Sequence, residues 1–168
     1  MPETGSCRDD SDCTSATAST LANRGSYNAT PLALRSDGRP VFIDSGSGLG
    51  MSLGICNSAD CTAVDSVPLG FSYGVRTLQL DATDRPVFEV VSGSLARLVR
   101  CVDPSCSDMA VDVLLSDTDS TTSYVGNTAL DGSAAAVVAL EEYSQGDVYL
   151  VLPNPQRPDP IFHNGFED

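Results

Sequence analysis

Ser36-Asp37-Gly38-Arg39-Pro40-Val41-Phe42 reads as a tight turn running straight into a strand. Asp-Gly supplies the positive φ that a short hairpin turn needs, and Val and Phe fit a pleated, half-buried surface. The last four residues return as Arg85-Pro86-Val87-Phe88, 46 positions later. Cys56 and Cys61 return as Cys101 and Cys106, each 45 positions on. Ser26-Tyr27 returns as Ser72-Tyr73 after 46 residues and as Ser123-Tyr124 after a further 51. Apolar alternation follows each Tyr, with Leu32 and Leu34 and then Leu78 and Leu80. A worn third copy has Ala129-Leu130-Asp131-Gly132, then Ala136-Val137-Val138-Ala139-Leu140 and Gln145-Gly146-Asp147-Val148-Tyr149-Leu150. Separate landmarks sharing one period mark an internal repeat.

Each copy divides into short strands. The first copy predicts strands at about 31–35, 40–44, 49–56 and 61–67. The second predicts them at about 77–81, 86–91, 95–101 and 106–114. The third supplies three, at about 128–131, 134–141 and 147–152. No segment carries a 3.6-residue apolar stripe, so helix content is expected to be low. The expected class is all-β, with four-stranded antiparallel blade-like repeats resembling those of a β-propeller. About three units are read, 31–67, 77–115 and 124–153, forming an incomplete ring or half of a dimeric one. Residues 13–21 align with the outermost strand that follows each cysteine pair, which the third unit lacks. That predicts a homodimer in which each chain lends its first strand to the other's third unit. Residues 1–12 are read as a lead and 154–168 as a poorly packed tail, because Pro153, Pro155, Pro158 and Pro160 deter strand pairing.

The six cysteines fall into the close pairs Cys7/Cys13, Cys56/Cys61 and Cys101/Cys106. Zinc is the competing reading, but its motifs use shorter gaps, and one pair would be left without a partner pair. Three local disulfides are expected, each closing a hairpin tip and contributing roughly 2 kcal/mol by chain entropy. Persistent disulfides imply an oxidising compartment, so the chain is expected to be secreted or at the cell-envelope exterior. No signal peptide is visible after Met1, and there is no apolar run long enough to span a membrane.

Nine Lys+Arg against 23 Asp+Glu give a net charge of −14, which argues against a nucleic-acid partner. All the basic residues are Arg, so chemistry that needs a P-loop or Schiff-base lysine is excluded. His163 is the only histidine and lies near the C-terminus, which disfavours His-centred catalysis and multi-His metal sites. Hydrophobic residues at 41% are sufficient for a core.

The units resemble a family of secreted bacterial repeat proteins with propeller-like blades. Its units run from a Tyr through a Leu-x-Leu strand, Asp-Gly-x-Pro-Val and a Gly-Asp-Leu strand to Cys-x4-Cys. The matching stretches are Ser36-Asp37-Gly38-Arg39-Pro40-Val41, Gly146-Asp147-Val148 and Cys101-Val102-Asp103-Pro104-Ser105-Cys106, within residues 7–153. Ile161-Phe162-His163-Asn164-Gly165-Phe166-Glu167 resembles an Ile-Phe-x-x-Gly-Phe-Glu tail on exported bacterial proteins. The resemblance implies export and the repeat, not an activity. The Ser-x-Asp-x-Gly-x-x-Trp boxes of sialidases are missing from this Trp-free chain.

Candidate binding residues follow from their places in the repeat. Tyr27, Tyr73 and Tyr124 precede the innermost strand of each unit, where aromatic rings would stack on a sugar or pack between neighbouring units. Arg39 and Arg85 hold equivalent turn positions at the opposite end, suited to a carboxylate or sulfate, or else to pairing with a nearby Asp. Asp9-Asp10-Ser11-Asp12 and Asp117-Thr118-Asp119 are acidic loops whose oxygens would suit Ca²⁺, but neither has an EF-hand pattern. No other cofactor or metal is expected. Asp44 and Glu89, read at the ends of second strands, and Glu141-Glu142 would be needed for a glycosidase pair, yet their spacing matches ordinary surface carboxylates. The expected function is an exported, non-catalytic binding or surface-interaction module with a glycan or protein ligand. The alternative is a glycan-active propeller enzyme or a fragment of one.

Overall fold

A computed structural model of the chain describes residues 31–44, 50–72, 74–92, 94–116, 124–130, 135–142 and 146–151. These hold eleven strands and no helix. The first sheet is β1 (Leu32–Leu34), β2 (Pro40–Asp44), β3 (Ser52–Cys56) and β4 (Val64–Pro68). The second is β5 (Val75–Leu80), β6 (Pro86–Ser92), β7 (Leu95–Cys101) and β8 (Met109–Ser116). The third is β9 (Tyr124–Leu130), β10 (Ala136–Glu142) and β11 (Val148–Val151). Every strand pairs antiparallel with its neighbour in sequence. The all-β class and the strand count of each unit are therefore as the sequence predicts. Some strand bounds differ: β4 and β8 begin only at Val64 and Met109, later than the expected 61 and 106, and β9 begins at Tyr124, ahead of the expected 128, so Tyr124 opens the strand rather than preceding it.

The turns explain the register. Gly38 takes φ +82° and donates its N–H to the Arg35 carbonyl at 2.8 Å, closing β1 onto β2. Its repeat counterpart is Asp84, with φ +61° and an N–H bonded to the Asp81 carbonyl at 2.9 Å. Asp tolerates this left-handed conformation better than most side chains, so the turn survives the loss of its glycine.

The sheets stack through alternate faces. Val41, Ile43, Leu53 and Ile55 of the first sheet pack on Leu78, Phe88, Val90, Val99 and the Cys101–Cys106 bridge of the second. The opposite face of the second sheet, with Val87, Val91, Ala96 and Leu98, packs on Ala136, Val138, Leu140 and Val151 of the third. Consequently β6 is buried on both sides over nearly its whole length. Contact between sheets runs through the first strands, with β5 against β1 and β2, and β9 against β5 and β6. Gly74 is required within the second sheet, where β6 lies alongside: at φ +100°, an added Cβ would lie 1.8 Å from the Val91 carbonyl oxygen.

Cys56–Cys61 and Cys101–Cys106 are disulfides, each with Cα atoms 4.8 Å apart. Cys61 and Cys106 share a left-handed backbone, at φ 51° and 55°. The two bridges differ in surroundings. Cys101–Cys106 lies in the core between the first and second sheets, whereas Cys56–Cys61 clusters with Phe42 and Val64 on the outer face of the first. Replacing Cys101 and Cys106 together by Ser should therefore cost more than the same change at Cys56 and Cys61. The shared loop term is roughly 2 kcal/mol; both pairs are buried, but the inner one belongs to the larger core cluster shared by two sheets and so loses more apolar packing. Urea denaturation of the two double variants checks the order, and equal losses would contradict it. Cys7 and Cys13, the strand expected at 13–21, the lead and the tail all lie outside the described residues.

Candidate binding face

In a meander, the first and third turns of each sheet lie at the same end. That end gathers the β1–β2 and β5–β6 hairpin turns and both disulfide loops. The turns are stiffened by side chains acting as local hydrogen-bond hubs. The Asp37 carboxylate accepts from the Arg39 backbone N–H at 3.0 Å and from its Nε at 2.7 Å. The Asp81 carboxylate accepts from the N–H and hydroxyl of Thr83 and from the N–H and Nε of Arg85. Although burial alone would raise it, these Thr83 and Arg85 bonds hold the Asp81 carboxyl down to about 2. In the inner disulfide loop, the Ser105 and Ser107 hydroxyls and backbone N–H groups all donate to Asp103, which also falls to about 2. The outer loop repeats the plan more weakly, with Ser58 in the place of Asp103 and a hydroxyl contact to Thr62 at 3.1 Å.

The units are joined at this end as well. Ser36 donates its N–H to Asp84 Oδ1 at 2.8 Å and its hydroxyl to Oδ2 at 2.7 Å. Arg35 donates to the Pro104 carbonyl in the neighbouring disulfide loop. The result is a continuous, rigid polar row across two units.

Both candidate arginines lie in it. Arg39 Nη2 is 2.7 Å from Asp37 Oδ2, and Arg85 Nη2 is 2.7 Å from Asp81 Oδ2. Each arginine side chain keeps a substantial exposed surface, at 36% and 45%. Their positive charge is already balanced, which suits them to hydrogen-bonding a polar neutral ligand better than to capturing a free anion.

Tyr27 and Tyr73 lie outside the described residues, as does the side chain of Tyr124. Both acidic loops proposed for Ca²⁺ lie outside them too, and among the described residues no three His, Cys, Asp or Glu side chains form a metal-binding group. Asp44 does end β2, but the expectation for Glu89 needs correction: it stands in mid-β6, fully buried against the third sheet. Glu141 is exposed, while its neighbour Glu142 is buried and accepts the Tyr149 hydroxyl at 2.9 Å, as strand alternation requires. A carboxyl with no exposed surface, such as Glu89, cannot touch a substrate in this arrangement.

Sequence reasoning missed Asp81, Asp84 and Asp103. Asp84 was legible as the counterpart of Gly38, since Asp is among the few residues that adopt that backbone. Asp103 was legible through Ser105 and Ser107, which follow it at the spacing of a side-chain-capped turn. No protein-family model matches this chain, and no curated protein or solved structure matches it either.

Proposed function

We propose that this chain is an exported, non-catalytic binding module built of propeller-like blades, and that its rigid turn end holds a polar, uncharged ligand such as a glycan. The observation that carries the reading is the row of Asp–Arg forks and disulfide loops tied across two units. Fixed donors and acceptors lower the ordering cost of binding. Sugar hydroxyls donate and accept together, as such forks require, and a net charge of −14 disfavours anionic ligands. Two local disulfides support export, because such bonds persist in oxidising compartments. Packing of adjacent sheets through their first strands supports the propeller-like arrangement.

A glycan array probed with the wild type and with the Arg39→Ala/Arg85→Ala variant tests this. Binding should be present in the wild type and fall by about tenfold or more when both forks are opened, about 1.4 kcal/mol or more. The bound glycans should be recovered intact. Cleaved glycans would move the assignment to a glycan-active enzyme, and binding indifferent to both arginines would remove the turn end as the site.

A further inference from the structure

The first sheet presents on its outer face the residues with which the second sheet packs inward. In register, Leu32 stands opposite Phe42 and Leu34 opposite Pro40, while Cys56 stands opposite Val64. Their counterparts, 45 or 46 positions on, are Leu78, Phe88, Leu80, Pro86, Cys101 and Met109. Of these, Leu78, Phe88 and Cys101 are core residues between the first and second sheets, with Leu80 and Met109 packed against them. On the first sheet no described strand packs over the same positions: Leu32 is 57% and Leu34 61% exposed, while Phe42 and Cys56 beside them are buried. Phe42 lies over Gly54, where an added Cβ would be 2.5 Å from the ring. The ring therefore lies close against its own sheet with little exposed surface, and Leu32 and Leu34 form the exposed apolar part of this face.

A second uncovered face lies at the other end of the stack. Ala136, Val138, Leu140 and Val151 of the third sheet pack inward. The alternate residues point outward, and Val148 and Leu150 there are 57% and 46% exposed, with Ala139 exposed beside them. The two uncovered faces lie on opposite sides of the second sheet and point away from it, so they cannot meet within one chain.

We infer that the outer face of the first sheet docks on the outer face of the third sheet of a second copy of this chain. The junction continues the packing that already joins the first sheet to the second and the second to the third. Two copies make two such junctions related by a two-fold axis, and neither apolar face is left bare. This surface is separate from the turn end, so the inference stands or falls independently of ligand binding there.

Analytical ultracentrifugation of the whole chain tests it. The wild type should sediment as a species of twice the 17.5 kDa chain mass. Leu32→Asp/Leu34→Asp and Val148→Asp/Leu150→Asp should each be monomeric. All four residues are exposed, so circular dichroism should show both variants folded. Mixing the two variants should give a heterodimer weaker than the wild-type dimer, because one junction regains both intact faces while the other sets the introduced carboxylates against each other. A monomeric wild type would overturn the inference and leave the face to this chain's own residues 1–30 or to another protein. So would a dimer that survives either substitution.

Discussion

Replacing Phe88 by alanine is expected to destabilise the protein by about 3–5 kcal/mol, the range for deleting a buried aromatic ring. Phe88 has no exposed surface. Its ring meets the edge of Phe71 at a centroid distance of 6.5 Å and an interplanar angle of 81°, inside the core shared by the first and second sheets. Phe42 holds the same place in the preceding unit but lies on the outer face, where among the described residues it clusters with the Cys56–Cys61 bridge and Val64 and keeps 8% of its surface exposed. Phe42→Ala should therefore cost clearly less, because its surroundings can collapse and fewer neighbours lose contact. Urea unfolding of the two variants, at a concentration where both are monomeric, measures the gap. Equal losses would show that the units do not stack as described.

The second large effect is a fall in stability as pH rises, originating at Glu89. Burial pushes this carboxyl up to about 7, against smaller opposing effects from the Thr128 hydroxyl, 3.4 Å from Oε2, and the charge of Arg76. Its side chain is held between Val87 and Val91 on the face turned to the third sheet, and presses on Gly126, where a Cβ would lie 1.8 Å from Oε1. Across β5 and β6 it stands opposite Thr77, and both Thr77 Oγ1 and Glu89 Oε1 lack a hydrogen-bond partner. The folded chain thus binds the Glu89 proton more tightly than the unfolded chain. Its contribution is complete below the ordinary value of 4.5 and is lost as pH rises through about 7. The expected loss across that window is on the order of 3 kcal/mol. Asp81 and Asp103 act in the opposite sense: their carboxylates are depressed to about 2, so their contribution is present above 3.8 and is lost as pH falls towards 2. Stability should therefore peak near the mildly acidic region between the two windows. Glu89→Gln retains the shape and cannot ionise. It should match the wild type near pH 4.5 and exceed it above pH 7, as followed by thermal unfolding at several pH values. Parallel curves for the two proteins would show that Glu89 is not the source.

The strands were legible because turn chemistry and cysteine spacing set their ends. Asp37-Gly38 and the Cys-x4-Cys tips each force a reversal, and a period-two apolar pattern fills the intervals. Glu89 was misplaced for a physical reason. Residues on both faces of β6 are buried, so strand alternation carries no sign of which side meets water. The better signal lay in the repeat itself, since Glu89 occupies the position of Ile43, a core residue of the first unit. The early start of β9 was hidden by Gly126-Asn127, a pair with poor strand character. Gly126 and Thr128 are nevertheless required there, one giving room to Glu89 and the other donating to it. At the turn end, the arginines were visible as repeated letters. That each would pair with a nearby Asp was expected, but not which Asp, because Asp37 and Asp81 lie at positions where the other copy has a different residue.

Pairing only between strands adjacent in sequence also sets an order of assembly. As the chain emerges, each sheet can close once its own segment is out, and none of its described strands waits for one made much later. Thiol chemistry follows the same order. Each described cysteine has its partner five positions away, so the nearest available thiol is the native one at every stage of synthesis. Oxidation can then proceed without a search among rival pairings, and an error in one unit stays in that unit.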